Sequence, residues 1–207
     1  MSAKQTTAPA NEPVTIIEGK QQLRLDEADD APLLTDYIAA ARRYVEEITR
    51  RQLVTATWQL KLDDFPLSAA AVSRNYPFFG SDRSIRLPRP PLQSVTEITY
   101  IDTAGDSQTL APTVYDVDTF SEPGRIALAF DQQWPAIRNQ IDAVTIEFVC
   151  GYGAVAAVPS TFKQMIRLLL DHSWGQRSPV VIGTIVSELP FSLQSLLMSE
   201  RIVMEAA

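Results

Sequence analysis

The sequence predicts an α+β fold: a helical bundle, a small antiparallel β unit inserted into it, and an extended C-terminal segment. Three observations predict it. Apolar residues recur every three or four positions over 32–51 and again over 160–175. Between those stretches the apolar period falls to two, and beyond them Pro179 and Gly183 set the final stretch apart. The expected organisation is a flexible N-terminal arm over 1–13 and a folded domain over 14–178. In that domain helices at 14–53 and 159–175 flank a β insertion at 54–150, and a C-terminal segment over 179–207 follows.

Residues 1–13 are rich in Ala, Thr, Gln and Pro and are expected to be disordered, or an arm that orders on contact. Thr15-Ile16-Ile17-Glu18 has capping-box spacing and opens a short helix through about Leu23. The acidic Asp26–Asp30 link suits the positive end of the next helix, where Pro32 fits the first turn. Leu34, Tyr37, Ile38, Ala41, Val45 and Ile48 form one apolar stripe. Asp36, Arg42, Arg43, Glu46, Glu47 and Arg50 are read as the opposite, solvated face, held by ion pairs.

Trp58, Leu60 and Leu62 alternate with Thr57, Gln59 and Lys61, which predicts a half-buried strand. Asp63–Asp82, with Pro66, Pro77 and Gly80, reads as a long exposed loop. Ile85–Leu87 is a short strand closed by Pro88, and Val95–Ile101 is a longer one. Asp102-Thr103-Ala104-Gly105-Asp106 forms a hairpin turn in which Gly105 supplies the positive φ, and Ser107–Leu110 returns. Tyr115–Asp118, Arg125–Phe130 and Ala143–Val149 complete the β unit. Val158-Pro159 then opens a helix whose stripe is Phe162, Met165, Ile166, Leu169 and Leu170. In the last segment Ser192 caps a short helix presenting Leu193, Leu196 and Leu197. That helix either folds back as a satellite or docks on another subunit.

Composition narrows the function classes. The chain has 207 residues, 45% of them hydrophobic, enough for a real core. The net charge of −7 weighs against affinity built on gripping phosphates. A single cysteine, Cys150, forbids an internal disulfide. The opening residues carry no apolar signal core, so the chain is expected to stay in the cytoplasm, and no stretch is long and apolar enough to span a membrane.

No catalytic, cofactor-binding or metal-binding constellation emerges. Asp171, His172 and Ser173 are consecutive on a helix, where successive side chains diverge by about 100°, so they form no relay. His172 is the one histidine, which removes any histidine-based metal cluster. Cys150 reads as a buried small hydrophobe, and Gly151-Tyr152-Gly153 as a bend after a strand. Asp63, Asp64 and Asp116 define the alternatives: a small hydrolase or carbohydrate-active enzyme needing two converging carboxylates, or a β-rich ligand-binding module needing a concave pocket.

Several segments together resemble the head-tail connector, or adaptor, proteins of tailed bacteriophages and gene-transfer particles. They are Tyr37-Ile38-Ala39-Ala40-Ala41-Arg42 with Val45-Glu46, Arg50-Arg51-Gln52-Leu53, Trp58-Gln59-Leu60 with Phe65-Pro66, and Leu87-Pro88-Arg89-Pro90-Pro91 leading to Tyr100-Ile101-Asp102. Tyr115-Asp116-Val117, Trp134-Pro135, Gly151-Tyr152-Gly153 and Val158-Pro159 follow in order, so the likeness spans roughly 14–178. The resemblance implies a structural ring, commonly dodecameric, assembled in the host cytoplasm. It binds beneath the portal in the particle neck, extends the DNA channel and receives a stopper or tail-completion protein. DNA is then non-specific cargo, and no cofactor or membrane is involved. An acidic chain suits a conduit that repels phosphate.

Three surfaces are expected to matter on this reading. Arg42, Arg43, Glu46 and Glu47 would register neighbouring subunits. Phe78 and Phe79, at the tip of the Ser68–Asp82 loop, would anchor a partner or pack locally. Leu189, Phe191, Leu193, Leu196, Leu197 and Arg201 would dock on the portal, in which case removing 185–207 would leave the monomer's unfolding unchanged.

Overall fold

The computed structural model describes residues 2–26, 31–66, 84–175 and 191–202, and among these are four α-helices and eight strands. They fall into two units. Ala10–Val54 and Tyr152–Arg201 make a helical unit, and Thr55–Gly151 with the N-terminal strand make a β unit.

In the helical unit, α1 (Ile16–Leu23) starts on the predicted capping box. The Thr15 hydroxyl accepts the Glu18 N–H at 3.2 Å, and the Glu18 carboxylate accepts the Thr15 N–H at 2.8 Å. Arg167 adds a 2.7 Å ion pair to the same carboxylate. Those hydrogen bonds from Thr15, with Arg167 behind them, hold the Glu18 carboxyl below its usual range. The next helix, α2 (Ala31–Thr49), buries Leu34, Ile38, Ala41 and Val45. It packs on α3 (Ser160–Gly175), which buries the whole predicted stripe from Phe162 to Leu170. The last helix, α4 (Phe191–Ser199), lies against both α2 and α3. One apolar cluster joins Val14, Leu34, Ile38, Val45, Leu53, Phe162, Ile166, Leu170, Leu193 and Leu197.

In the β unit, β1 (Ser2–Thr7) pairs with β2 (Ala56–Leu62), and β2 with β8 (Val144–Cys150). Beyond β8 come β4 (Leu92–Ile101) and β5 (Ser107–Thr109), giving an antiparallel sheet of five in the order β1-β2-β8-β4-β5. A second sheet orders β3 (Ile85–Arg86), β7 (Arg125–Leu128) and β6 (Tyr115–Asp118) as β3-β7-β6. Alternation in β8 is complete: Val144, Ile146, Phe148 and Cys150 point inward. They meet Leu60, Leu62 and Ile98 from their own sheet, and Ile85, Tyr115 and Ile126 from the other, in one core. The predicted Asp102–Asp106 turn is present. Gly105 has φ 101°, and the Asp102 carboxylate accepts the N–H groups of Ala104, Gly105 and Asp106 within 3.0 Å.

Four expectations need correction. Residues 2–7 are not disordered but form an edge strand, because a polar, Thr-containing segment meets an edge's needs with backbone pairing alone. The β unit is larger than one small sheet. The strand expected at Val95 begins at Leu92, and two register shifts against β8, Leu92/Ser94 and Val95/Glu97, blur its alternation. The strand expected through Phe130 stops at Leu128, leaving Phe130 98% exposed.

Candidate assembly surfaces

The charged face of α2 divides in two. At about 100° per residue, Arg42 and Glu46 flank the Leu34–Ile38–Val45 stripe, whereas Arg43 and Glu47 lie opposite it. Accordingly Arg42 is 5% exposed and Glu46 6%, while Arg43 and Glu47 face solvent. Arg42 Nε and Nη2 donate to the two Glu12 oxygens at 2.6 and 3.2 Å, and Nη1 donates to Glu46 Oε2 at 2.6 Å. Glu46 Oε1 accepts the Gln52 amide at 2.8 Å and the Leu53 N–H at 3.0 Å. Burial works against the Arg42 charge, but Glu12 and Glu46 outweigh it and hold the guanidinium more firmly protonated than usual. Burial pushes the Glu46 carboxyl up, against the pull of Arg42 and the Leu53 N–H. The solvated-face reading is therefore corrected for these two residues. They pin the N-terminal segment and the chain leaving α2, and Arg43 and Glu47 stay on the exposed side of the helix.

The C-terminal helix also differs from the docking picture. Leu193 is 1% and Leu197 2% exposed, both in the helical core, and Leu196 is half-buried against it. Arg51 secures the chain beyond α4: its Nε donates to the Glu200 carbonyl at 3.0 Å and its Nη1 to the Tyr152 hydroxyl at 3.2 Å. Phe191, 84% exposed, and Arg201 remain outward. Leu189, Phe78 and Phe79 lie outside the described residues.

Sequence reasoning missed the two most exposed aromatics among the described residues, both in the β unit. Phe120 is 97% exposed in the β6–β7 turn, and Phe130, just past β7, lies at the other end of that hairpin. The Phe120 turn is built around Asp118. Its Oδ1 accepts the N–H groups of Phe120 and Ser121 at 2.9 and 3.2 Å, and its Oδ2 accepts the Ser121 hydroxyl at 2.7 Å and Arg125 Nε at 2.9 Å. The available signal was a phenylalanine inside a turn-forming Thr-Phe-Ser-Glu-Pro-Gly run.

Those bonds, led by the Ser121 hydroxyl and Arg125, hold the Asp118 carboxyl well below its ordinary value of 3.8. A depressed carboxylate pKa adds stability above the unfolded value that is lost as pH falls through the folded one. The Phe120 and Ser121 amide signals are thus expected to stay native at pH 3.8 and shift only in stronger acid. Joint movement at 3.8 in an NMR titration would show that the turn is not held by Asp118.

Of the enzyme candidates, one carboxylate has a backbone partner and another lies exposed. Asp63 Oδ1 accepts the Asp142 N–H at 3.0 Å, and Asp116 is exposed on β6, in the other sheet. Cys150 is fully buried, with its Sγ 3.9 Å from the Ala56 carbonyl. Gly151 and Gly153, at φ 117° and 106°, make the expected bend, where Gly151 N–H donates to Pro91 at 2.8 Å. Among the described residues no three His, Cys, Asp or Glu side chains gather as a metal site, and no helix is long and apolar enough to cross a membrane.

No family model and no curated protein matches the chain. Solved structures do. A chain from the neck of an empty gene transfer agent particle, computed with C6 symmetry, is similar at TM-score 0.75 and 22% identity, covering 98% of this chain and 96% of that one. A chain from the virion of a native gene transfer agent particle gives 0.74, and one from the native neck computed with C12 symmetry gives 0.68, each at 22% identity and the same coverage. At this identity the likeness establishes the fold over both units.

Proposed function

We propose that this chain is a structural protein of the neck of a phage-like particle: a head-tail adaptor whose copies form a ring beneath the portal. The ring extends the DNA channel and receives a stopper or tail-completion protein. It acts by assembly, without catalysis, cofactor or membrane, and DNA passes through it as cargo. The observation that carries this reading is the whole-chain likeness to neck chains, which covers 98% of this protein rather than one common motif. The net charge of −7 is compatible with a wall that does not retain phosphate.

The surfaces then take these parts. Arg43 and Glu47, on the outward side of α2, face a neighbouring subunit, and Arg42 and Glu46 hold the helix they project from. Phe191 and Arg201 are the portal-facing residues of the C-terminal segment. Phe78, Phe79 and Leu189 keep the partner-contact roles expected of them from sequence.

Purified chain mixed with its cognate portal protein is expected to co-sediment and, by electron microscopy, to add a ring of density on the portal's tail-facing end. Particles assembled without this chain should hold heads that fail to join tails. A chain that never binds portal, or particles that join tails normally without it, would overturn the assignment.

A further inference from the structure

Among the described residues, and leaving aside the outer edge of the three-residue β5, the five-stranded sheet has an open place at each side. The outer edge of β1 carries no partner strand among the described residues. On the far side, β5 covers only Thr99–Ile101 of β4, and the Leu110 N–H closes Ile98 with a 2.8 Å bond to its carbonyl. Among the described residues no strand covers the remainder, Leu92–Glu97, on that side, and Gln93, Ser94, Thr96 and Glu97 are exposed. A strand of six residues, the length of β1, spans that gap.

The sheet's register matches these places to each other. Lys4 pairs with Gln59, Gln59 with Glu147, and Glu147 with Glu97, so a single row on the outer face runs from a lysine at one edge to a glutamate at the other. Gln59 donates to Glu147 at 3.2 Å, and the Glu147–Glu97 neighbours are like charges directly opposite, an arrangement that disfavours pairing. An ammonium beside Glu97 would offset it. Strand direction agrees too. Each of β1, β2, β8 and β4 is antiparallel to the next, so β1 runs antiparallel to β4. A second copy carried along the sheet by rotation, without being turned over, brings its own β1 to β4 in antiparallel sense. Such a head-to-tail contact closes a ring when the rotation closes.

We infer that the strand β1 of one copy pairs with Leu92–Glu97 of the next, continuing the five-stranded sheet across the subunit boundary, with Lys4 serving Glu97. This rests on the ring reading above. The β4 bulges make Ser94, Val95 and Glu97 three successive rungs against Val149, Phe148 and Glu147. Laid there, Ser2 faces Glu97, Ala3 faces Val95 and Lys4 faces Ser94, diagonal to the Glu97 carboxylate and within a lysine's reach. The polar make-up of β1, with Lys4 exposed, lowers the risk of indiscriminate edge pairing.

The test uses the full chain, alone and mixed with portal. A Lys4→Cys/Ser94→Cys double variant is expected to oxidise into a ladder of covalently joined chains, while either single variant gives none. Lys4→Glu should weaken self-association by up to about fivefold per contact, with unchanged thermal unfolding, and Glu97→Lys in the same chain should restore it. Rings seen by electron microscopy without a cysteine ladder would overturn the edge contact and leave the adaptor reading intact. A ladder in a chain that never binds portal would support the contact and sink the adaptor reading. A chain monomeric under every condition would overturn both.

Discussion

Arg42→Ala is expected to destabilise the helical unit by about 3 to 5 kcal/mol, the cost of removing one partner from a buried ion pair. Arg43→Ala, one residue away, should change stability by less than about 0.5 kcal/mol. Loss of the guanidinium leaves Glu46 Oε2 without its 2.6 Å partner in a side chain that is only 8% exposed. Glu12, 26% exposed, can rehydrate, so most of the penalty falls on Glu46. Glu46→Gln keeps an oxygen for the Leu53 N–H and removes the stranded charge. The Arg42→Met/Glu46→Gln pair should therefore cost less than Arg42→Met alone. Urea unfolding followed by helical circular dichroism reads all four variants. Equal costs for Arg42→Ala and Arg43→Ala would show that the network holds nothing.

This contrast also shows what was legible. The period of 3.6 in 31–49 and the period of two in 56–62 identify α2 and β2 and the faces they bury, because each pattern is written by local geometry. The same angular argument separates Arg42 from Arg43. Counting i,i+4 charge pairs hides the distinction, since a buried and an exposed pair share one spacing. Strand partners were less legible. Ile85 pairs with Ile126 across a long stretch of chain, and nothing in a two-residue strand specifies that match. The polar Ser2–Thr7 strand is invisible for a related reason: its pairing energy lies in the backbone, which has no compositional signature. For the surfaces, spacing showed Leu193, Leu196 and Leu197 on one side of a helix but not what covers them.

What covers them decides the second expectation. Leu197→Ala and Leu193→Ala should each cost about 2 to 5 kcal/mol, the range for deleting a core leucine whose cavity relaxes only in part. Both sit in the cluster formed with α2 and α3, at 2% and 1% exposure. Phe191→Ala, at 84% exposure, should change unfolding by less than about 0.5 kcal/mol. Removing 185–207 should consequently lower the melting temperature, contrary to a tail that is free until it meets its partner. The two roles separate in one series of variants. If α4 is core and the portal is met through its outward side, the leucine variants lose stability and Phe191→Ala loses portal co-sedimentation without loss of stability. Unchanged unfolding in Leu197→Ala, with portal binding abolished, would instead mean that α4 leaves its seat on α2 and α3 and buries those leucines in the portal.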